Sequence, residues 1–370
     1  MSMRYPISKP FIDQEEIDAV TKVLSSGILS IGPKQKEFEQ QFIERFGVSH
    51  ACAVSSGTSG LHLLLIAAGI TAGDEVITSP FSFIASANVI EYVGATPVFC
   101  DVDPRTYNID PTRIEEKITE KTKAILVVHI FGQCADMDPI LEIAKRHNLL
   151  IIEDACESIL ATYKGRYAGT FGQGGVFAFY PNKQMTTAEG GMIVTNSEET
   201  FDLCDSYKNQ GRDNKNMQWL DHRYLGYNYR LSELHCALGV EQFKRLAFFI
   251  EERKKIAAWY NERLADVEGI TLPYVAPENE MTWFVYTVRL KDKQTRDEMI
   301  GRLKKEGVAA KAYLPSIHLF KYYQEKYGYK TGDFPISEEI SNTSLALPIY
   351  IGLKEEDVEQ ITQVLRRLIG

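Results

Sequence analysis

KAILVVHIFGQCADMDPILEIAKRHNLLIIEDACES, residues 123–158, holds a strand–helix–strand unit. KAILVVHI (123–130) and NLLIIED (148–154) are short apolar runs, and MDPILEIAKRH between them carries its apolar residues at helical spacing. A strand buried on both faces reads as a nearly unbroken apolar run, so these fit a parallel sheet covered by helices better than a half-exposed one. Outward from this stretch, HACAVSS (50–56), DEVITS (74–79), TPVFCDV (96–102), GVFAFY (175–180) and GMIVTN (191–196) are further runs of the same kind. Helical patterns such as GLHLLLIAAG and ASANVIEYV lie between many of them. A spacing of roughly 25 residues is that of successive βα units and not of a sequence repeat. The prediction is a doubly wound α/β fold.

From residue 231 the pattern changes to a long helical run ending near 264 and broken near Arg245. A strand near TWFVYTVRL, a helix near TRDEMIGRLKKEG, a long loop over 313–336 and a closing helix after Leu353 follow. The chain of 370 residues is long enough for two cores. The boundary is expected near 250, giving a large α/β domain over 1–250 and a smaller α+β domain over 251–370, closely packed because no Gly/Ser linker separates them.

Composition narrows the function. Apolar content of 44% and charged content of 25% are those of a folded globular protein. Fifty acidic against forty-one basic side chains give a net charge of −9, which argues against a general nucleic-acid surface. The six cysteines form no CxxC pair and no metal-ligand spacing, so reduced thiols and a cytoplasmic location are expected, with no metal. Neither a signal peptide nor a membrane helix is expected, since no apolar run approaches the roughly 18 residues such a helix needs.

Three stretches carry chemistry. In VSSGTSGLHLLL (54–65) a strand ends in a Ser/Gly/Thr turn that opens a helix. Unpaired first-turn amides and the helix dipole make such a turn a phosphate site, although a plain helix cap reads the same way. In IIEDACES (151–158) an apolar strand ends in two acids, and a carboxylate at the C-terminal edge of a parallel sheet is placed to meet a ligand. Asp154 is the candidate for a cationic heteroaromatic nitrogen, against the alternative that both acids are ordinary loop residues. In GGVFAFYPNKQMTTAEGGMIVTN (174–196) one lysine, Lys183, sits in a turn between two apolar strands, a Schiff-base candidate. Asp154 and Lys183 both follow strand ends and should open onto one crevice.

These motifs, in this order and spacing, resemble the DegT/DnrJ/EryC1/StrS family of fold-type-I, aspartate-aminotransferase-like sugar aminotransferases. The resemblance covers nearly the whole chain, from GILSIGP (27–33) through SFIASANVIEYVGATPVFCDVD (82–103), HIFGQCADMD and LGYNYRLSELHCALG (225–239) to LPSIHLF and GDFPISEEISNTSLALPIY. It implies pyridoxal 5'-phosphate held by Lys183 as a Schiff base, with Asp154 on the pyridinium nitrogen. It also implies that Gly57, Thr58 and Ser59 cradle the phosphate and that Phe83 lies against the ring. Asn228 in GYNYR would reach the cofactor of a neighbouring subunit, which implies a homodimer with shared sites. The implied reaction moves an amino group from an amino acid, such as glutamate, to a nucleotide-linked keto-sugar, making an amino sugar for polysaccharide, glycan or natural-product assembly.

Two positions depart from the family pattern. Many relatives carry Ser where this chain has Ala178, so one phosphate contact should be missing unless Ser55 or Ser56 replaces it. Glu157 stands where many relatives have Gln beside the cofactor's 3-hydroxyl. Substrate contacts are expected from Tyr313 and His318 in a loop that closes over the sugar in relatives, and Arg230 is expected to bind substrate or tie the dimer. The segment KNQGRDNKNMQWLDHR (208–223) would suit a diphosphate or be a solvated face. His62, His129, His147 and His235 are expected to pack. Rival functions are a dehydratase of the same family, whose relatives carry His in place of Lys183, and a cofactor-binding regulator. A nicotinamide enzyme is disfavoured because the first βα turn lacks GxGxxG.

Overall fold

The computed structural model describes residues 3–212 and 221–369. The expected apolar runs become strands β1 (His50–Val54), β2 (Glu75–Thr78), β3 (Thr96–Phe99), β4 (Thr122–Val128) and β5 (Leu150–Asp154). Two-residue strands β6 (Thr162–Tyr163) and β7 (Arg166–Tyr167) precede β8 (Gly174–Ala178) and β9 (Gly191–Thr195). Seven of these form one sheet in the order β1-β9-β8-β5-β4-β2-β3. Five neighbours, from β8 to β3, run parallel, while β9 is antiparallel to both β1 and β8. The apolar run of β9 had suggested another parallel strand. Residues 179–190 return directly from β8 without a crossover helix, and such a return reverses direction.

Helices cover both faces. In β4, Ala124, Leu126 and Val128 join the apolar core under α3 (Gly57–Ala67) and α4 (Ala85–Tyr92), whereas Ile125 and Val127 join the core under α2 (Pro33–Phe46) and α5 (Met137–His147). Alternate residues of a strand point to opposite faces, so an unbroken apolar strand needs both covers. The helix α1 (Gln14–Ser26) starts on a capping box made by Asp13 and Glu16, and it packs on α7 (Glu233–Lys244) across α6 (Glu198–Lys208) in sequence.

The break expected near Arg245 falls on that residue, between α7 and α8 (Leu246–Leu264). Ile250, where the domain boundary was expected, lies inside α8. Beyond it β10 (Asn279–Glu280) pairs with β6, and β11 (Tyr286–Arg289) pairs antiparallel with β12 (Ser344–Leu347). Helices α9 (Lys293–Lys305), α10 (Lys321–Tyr327), α11 (Pro335–Thr343) and α12 (Glu355–Ile369) complete this part. The stretch expected to be one long loop over 313–336 therefore contains α10 and a 3-10 turn at Ile317–Leu319. One apolar core runs from Leu64 and Leu126 beside the large sheet to Tyr260, Tyr286 and Leu365. No helix among the described residues is long and apolar enough to cross a membrane.

Candidate active site

A cleft of about 460 Å³ opens where β1, β4, β5 and β8 end, within the size range of small-molecule sites. Gly57, Thr58, Phe83, Asp154, Glu157, Lys183 and Tyr313, all singled out from sequence, line it. Ser56 caps α3: its hydroxyl accepts from the Ser59 amide at 3.0 Å, and the Ser59 hydroxyl accepts from the Ser56 amide at 2.9 Å. That reciprocal pair consumes the Ser59 amide and hydroxyl, so Ser59 braces the turn and does not line the cleft. The amides of Gly57 and Thr58 lie in the first helical turn, too early for a carbonyl partner four residues back. A Cβ on Gly57 would stand 2.7 Å from Cys156 Sγ and 2.8 Å from the Ala178 Cβ, so this backbone sits directly on the cleft floor.

Asp154 ends β5 on the cleft side and is 7% exposed. Its Oδ1 accepts from the Cys156 amide at 3.1 Å and its Oδ2 from the Ser86 hydroxyl at 2.7 Å. Ser86 has one proton, already given to Asp154, so in the 2.8 Å contact between Ser82 and Ser86 the Ser82 hydroxyl donates. Among the described residues no lysine, arginine or histidine pairs with this carboxylate. A buried carboxylate without a cation is costly, and a ring nitrogen that carries a proton would relieve it.

Lys183 stands in the connection between β8 and β9. Its amide donates to the Tyr180 carbonyl at 2.8 Å, its Nζ is 3.5 Å from Glu157 Oε1, and the ammonium lies 4.1 Å from the centre of the Phe284 ring. Glu157 Oε2 accepts from the Phe131 amide at 3.1 Å. That amide is aimed inward because Phe131 and Gly132 take left-handed φ values of 58° and 99°. Gly132 also has no room for a side chain, since a Cβ would lie 2.7 Å from the Trp283 amide nitrogen. Burial pushes the Glu157 carboxyl above the usual range, and the Lys183 charge pulls it back.

Phe284 is fixed from behind. Its amide donates to the Phe131 carbonyl at 3.1 Å, and Arg253 Nη1 donates to the carbonyls of Trp283 and Phe284 at 3.1 and 3.3 Å. Arg253 is 3% exposed and has no carboxylate partner among the described residues. Burial pushes its guanidinium down to about 10. Tyr313 packs edge to face on Phe284, with ring centres 5.7 Å apart, and its hydroxyl accepts from Asn182 Nδ2 at 3.3 Å.

Besides Ser59, three expected residues stay outside the cleft. His318 is fully buried in the 3-10 turn, where Nε2 lies 3.1 Å from Glu338 Oε1 and the ring packs on Phe334. Burial pushes its pKa down, so the neutral ring donates to Glu338 and braces the loop in place of touching a sugar. Arg230 Nη1 donates to Asn209 Oδ1 at 3.0 Å within the chain. Asn228 is exposed, bridged through its backbone to Asn209. Ser56 lines the cleft beside Ala178 but Ser55 does not. Residues 213–220 of the basic segment lie outside the described residues.

Sequence reasoning missed Asn182, Tyr180, Cys156, Phe284 and Lys311 on the cleft wall and Ser86 behind Asp154. Cys156 and Ser86 lie inside motifs quoted above, where a regular offset from Asp154 or from the start of α4 could have raised them. Phe284 and Lys311 are brought in by the distant C-terminal part, and no local pattern marks them.

The model of the DegT/DnrJ/EryC1/StrS aminotransferase family matches residues 10–366. The spore coat polysaccharide biosynthesis protein SpsC of Bacillus subtilis is 39% identical, covering 98% of this chain and 97% of the relative. The GDP-perosamine synthase of Caulobacter vibrioides is also 39% identical, covering 99% of this chain and 98% of that protein. The crystal structure of S. venezuelae DesV in complex with a ketimine intermediate superposes with a TM-score of 0.92 at 32% identity, covering 99% of this chain and 98% of DesV.

Proposed function

The chain belongs to the DegT/DnrJ/EryC1/StrS aminotransferase family, and from that premise we propose that it moves an amino group from glutamate to a nucleotide-linked keto-sugar. The observation that carries this reading is the presence in one cleft of Lys183 and a buried carboxylate, Asp154, that pairs with no cation among the described residues. The name of the GDP-perosamine synthase relative supports a sugar nucleotide as acceptor, and that of SpsC supports a role in polysaccharide assembly.

Pyridoxal 5'-phosphate fits the residues present. Lys183 would hold its aldehyde, Asp154 its ring nitrogen, and the amides of Gly57 and Thr58, which line the cleft from the first turn of α3 without helical carbonyl partners, its phosphate. When bound, the cofactor supplies an electron sink for the carbanion left by proton loss. Lys183 Nζ would be the base that takes the α-proton of the donor and later gives it back. Asp154 Oδ1 and Oδ2, steadied by the Cys156 amide and Ser86, would favour a protonated ring nitrogen on that side of the cleft. Glu157 and Phe284 flank the Lys183 amine and would orient it whenever it is free. Phe83, 62% exposed at the lip, offers an aromatic face.

The assembly is read as a homodimer. Asn228 is exposed and outside its own cleft, and Ile17, Leu24, Ile28, Leu29, Ile31 and Leu225 are exposed apolar side chains that a second copy would cover.

Incubation with pyridoxal phosphate, borohydride reduction and peptide mass spectrometry test the central claim. The expected result is one adduct on Lys183 in the natural chain, none in Lys183→Ala, and no turnover of glutamate by that variant. An adduct elsewhere, or an active Lys183→Ala, refutes it.

A further inference from the structure

Two lysines line the cleft, and each ammonium is held over an aromatic ring. Lys183 Nζ lies 4.1 Å from the Phe284 centre and Lys311 Nζ 4.6 Å from the Tyr313 centre. The proposed reaction engages Lys183 and leaves Lys311 without a task. The Lys311 backbone is fixed against β12: its carbonyl accepts from the Ala346 amide at 2.9 Å and its own amide donates back at 3.4 Å. Its side chain is therefore delivered to the cleft from a paired strand edge, not from a loose loop. Among the described residues its ammonium has no carboxylate within pairing distance.

We propose that Lys311 anchors the α-carboxylate of the amino-acid donor. The inference rests on Lys183 being the amine that the donor displaces. In an amino acid a single carbon separates the amine from the α-carboxylate, so a cation for that carboxylate must stand close to the reacting nitrogen. Lys311 Nζ lies on the Tyr313 ring, whose centre is 5.7 Å from that of Phe284, and the Phe284 centre in turn lies 4.1 Å from Lys183 Nζ, which puts Lys311 at the reacting end of the cleft. A sugar diphosphate is held away from a reacting ring carbon by the sugar itself and calls for cations farther out. Burial pushes the Lys311 pKa down, and a carboxylate partner would offset that cost to the charged form.

The test separates the two half-reactions in the cofactor-loaded protein. Lys311→Met keeps an apolar stem on Tyr313 and removes the charge, and Lys311→Arg restores it. In the methionine variant the glutamate concentration needed for half-maximal conversion should rise about 10- to 100-fold, the loss expected for one hydrogen bond to a charged group. The shift should fall on the glutamate half-reaction alone, and arginine should recover most of it. Independently of turnover, glutamate should protect Lys311 from acylation in the natural protein, followed by peptide mass spectrometry, while methylamine, which lacks a carboxylate, should not. A shift in the keto-sugar half-reaction instead, no shift in either, or equal protection by methylamine overturns the proposal. If borohydride finds the adduct on Lys183 in the variant, such a result condemns Lys311 alone; if the natural protein gives no Lys183 adduct, both readings fall.

Discussion

Glu153 and Asp154 are neighbours on β5 that point to opposite faces of the same sheet, and their surroundings differ completely. Glu153 is fully buried and saturated. Its oxygens accept from the amides of Gly169, Phe171 and Gly172 at 2.7, 2.6 and 2.8 Å and from His129 Nε2 at 3.0 Å. His129 Nδ1 accepts from the Ala135 amide at 3.1 Å, so the ring proton is on Nε2 and the imidazole donates it to Glu153. Among the described residues Asp154 has two donors and no cation, and an open cleft lies in front of it. One carboxylate closes a loop onto the sheet, and the other keeps bonding capacity for a ligand. Burial alone distinguishes neither; the number of donors committed within the chain does.

The contrast can be broken most sharply at Asp154. Asp154→Asn keeps the shape and removes the charge, and turnover should fall by about 100- to 1,000-fold, as when one preorganised electrostatic contact is lost. The melting temperature should hold or rise, because an unpaired buried charge has gone. Substantial activity in that variant, or a large loss of stability, would erase the distinction. Glu153→Ala should behave in the opposite way. Each orphaned buried donor costs about 1–3 kcal/mol, so with four donors left behind chemical denaturation should show a loss of about 4 kcal/mol or more.

The smallest effect sharpens the comparison at a third carboxylate. Glu157 is buried like Glu153 yet has fewer donors, and burial raises its pKa in the folded chain. The folded protein then binds a proton more tightly than the unfolded one. Its stabilising contribution is complete below the ordinary carboxylate range and is lost as pH rises through the raised value. Glu157→Gln should remove that decline, so the melting temperature of the natural chain should fall relative to the variant as pH climbs from about 4 toward neutrality. Parallel curves for the two proteins over that window would show Glu157 to be satisfied in the way Glu153 is.

Much of this was legible from residues alone. All seven strands of the large sheet announced themselves as apolar runs, because burial on two faces removes polar residues from both parities. The direction of β9 was not legible, since an apolar run carries no polarity of its own and only the lack of a crossover helix before it decides. In KYYQEKY the tyrosines give no clear helical stripe, and SLAL is four residues long, so α10 and β12 escaped notice. Of the residues lining the cleft, Lys183, Asp154, Gly57 and Thr58 were readable from motifs, and Phe83, Glu157 and Tyr313 from the family resemblance. His318 misled because a histidine beside a loop looks the same in sequence whether it faces solvent or, as here, Glu338. Arg253, Phe284 and Lys311 were invisible because their importance comes from long-range packing.

The cleft floor is made of three small groups, Gly57, Cys156 and Ala178, so tightly set that one methyl on the first would collide with the other two. Their histories are thereby tied together. A lineage that enlarges one of these positions narrows what the remaining two can become, and change here proceeds by compensating steps whose order matters.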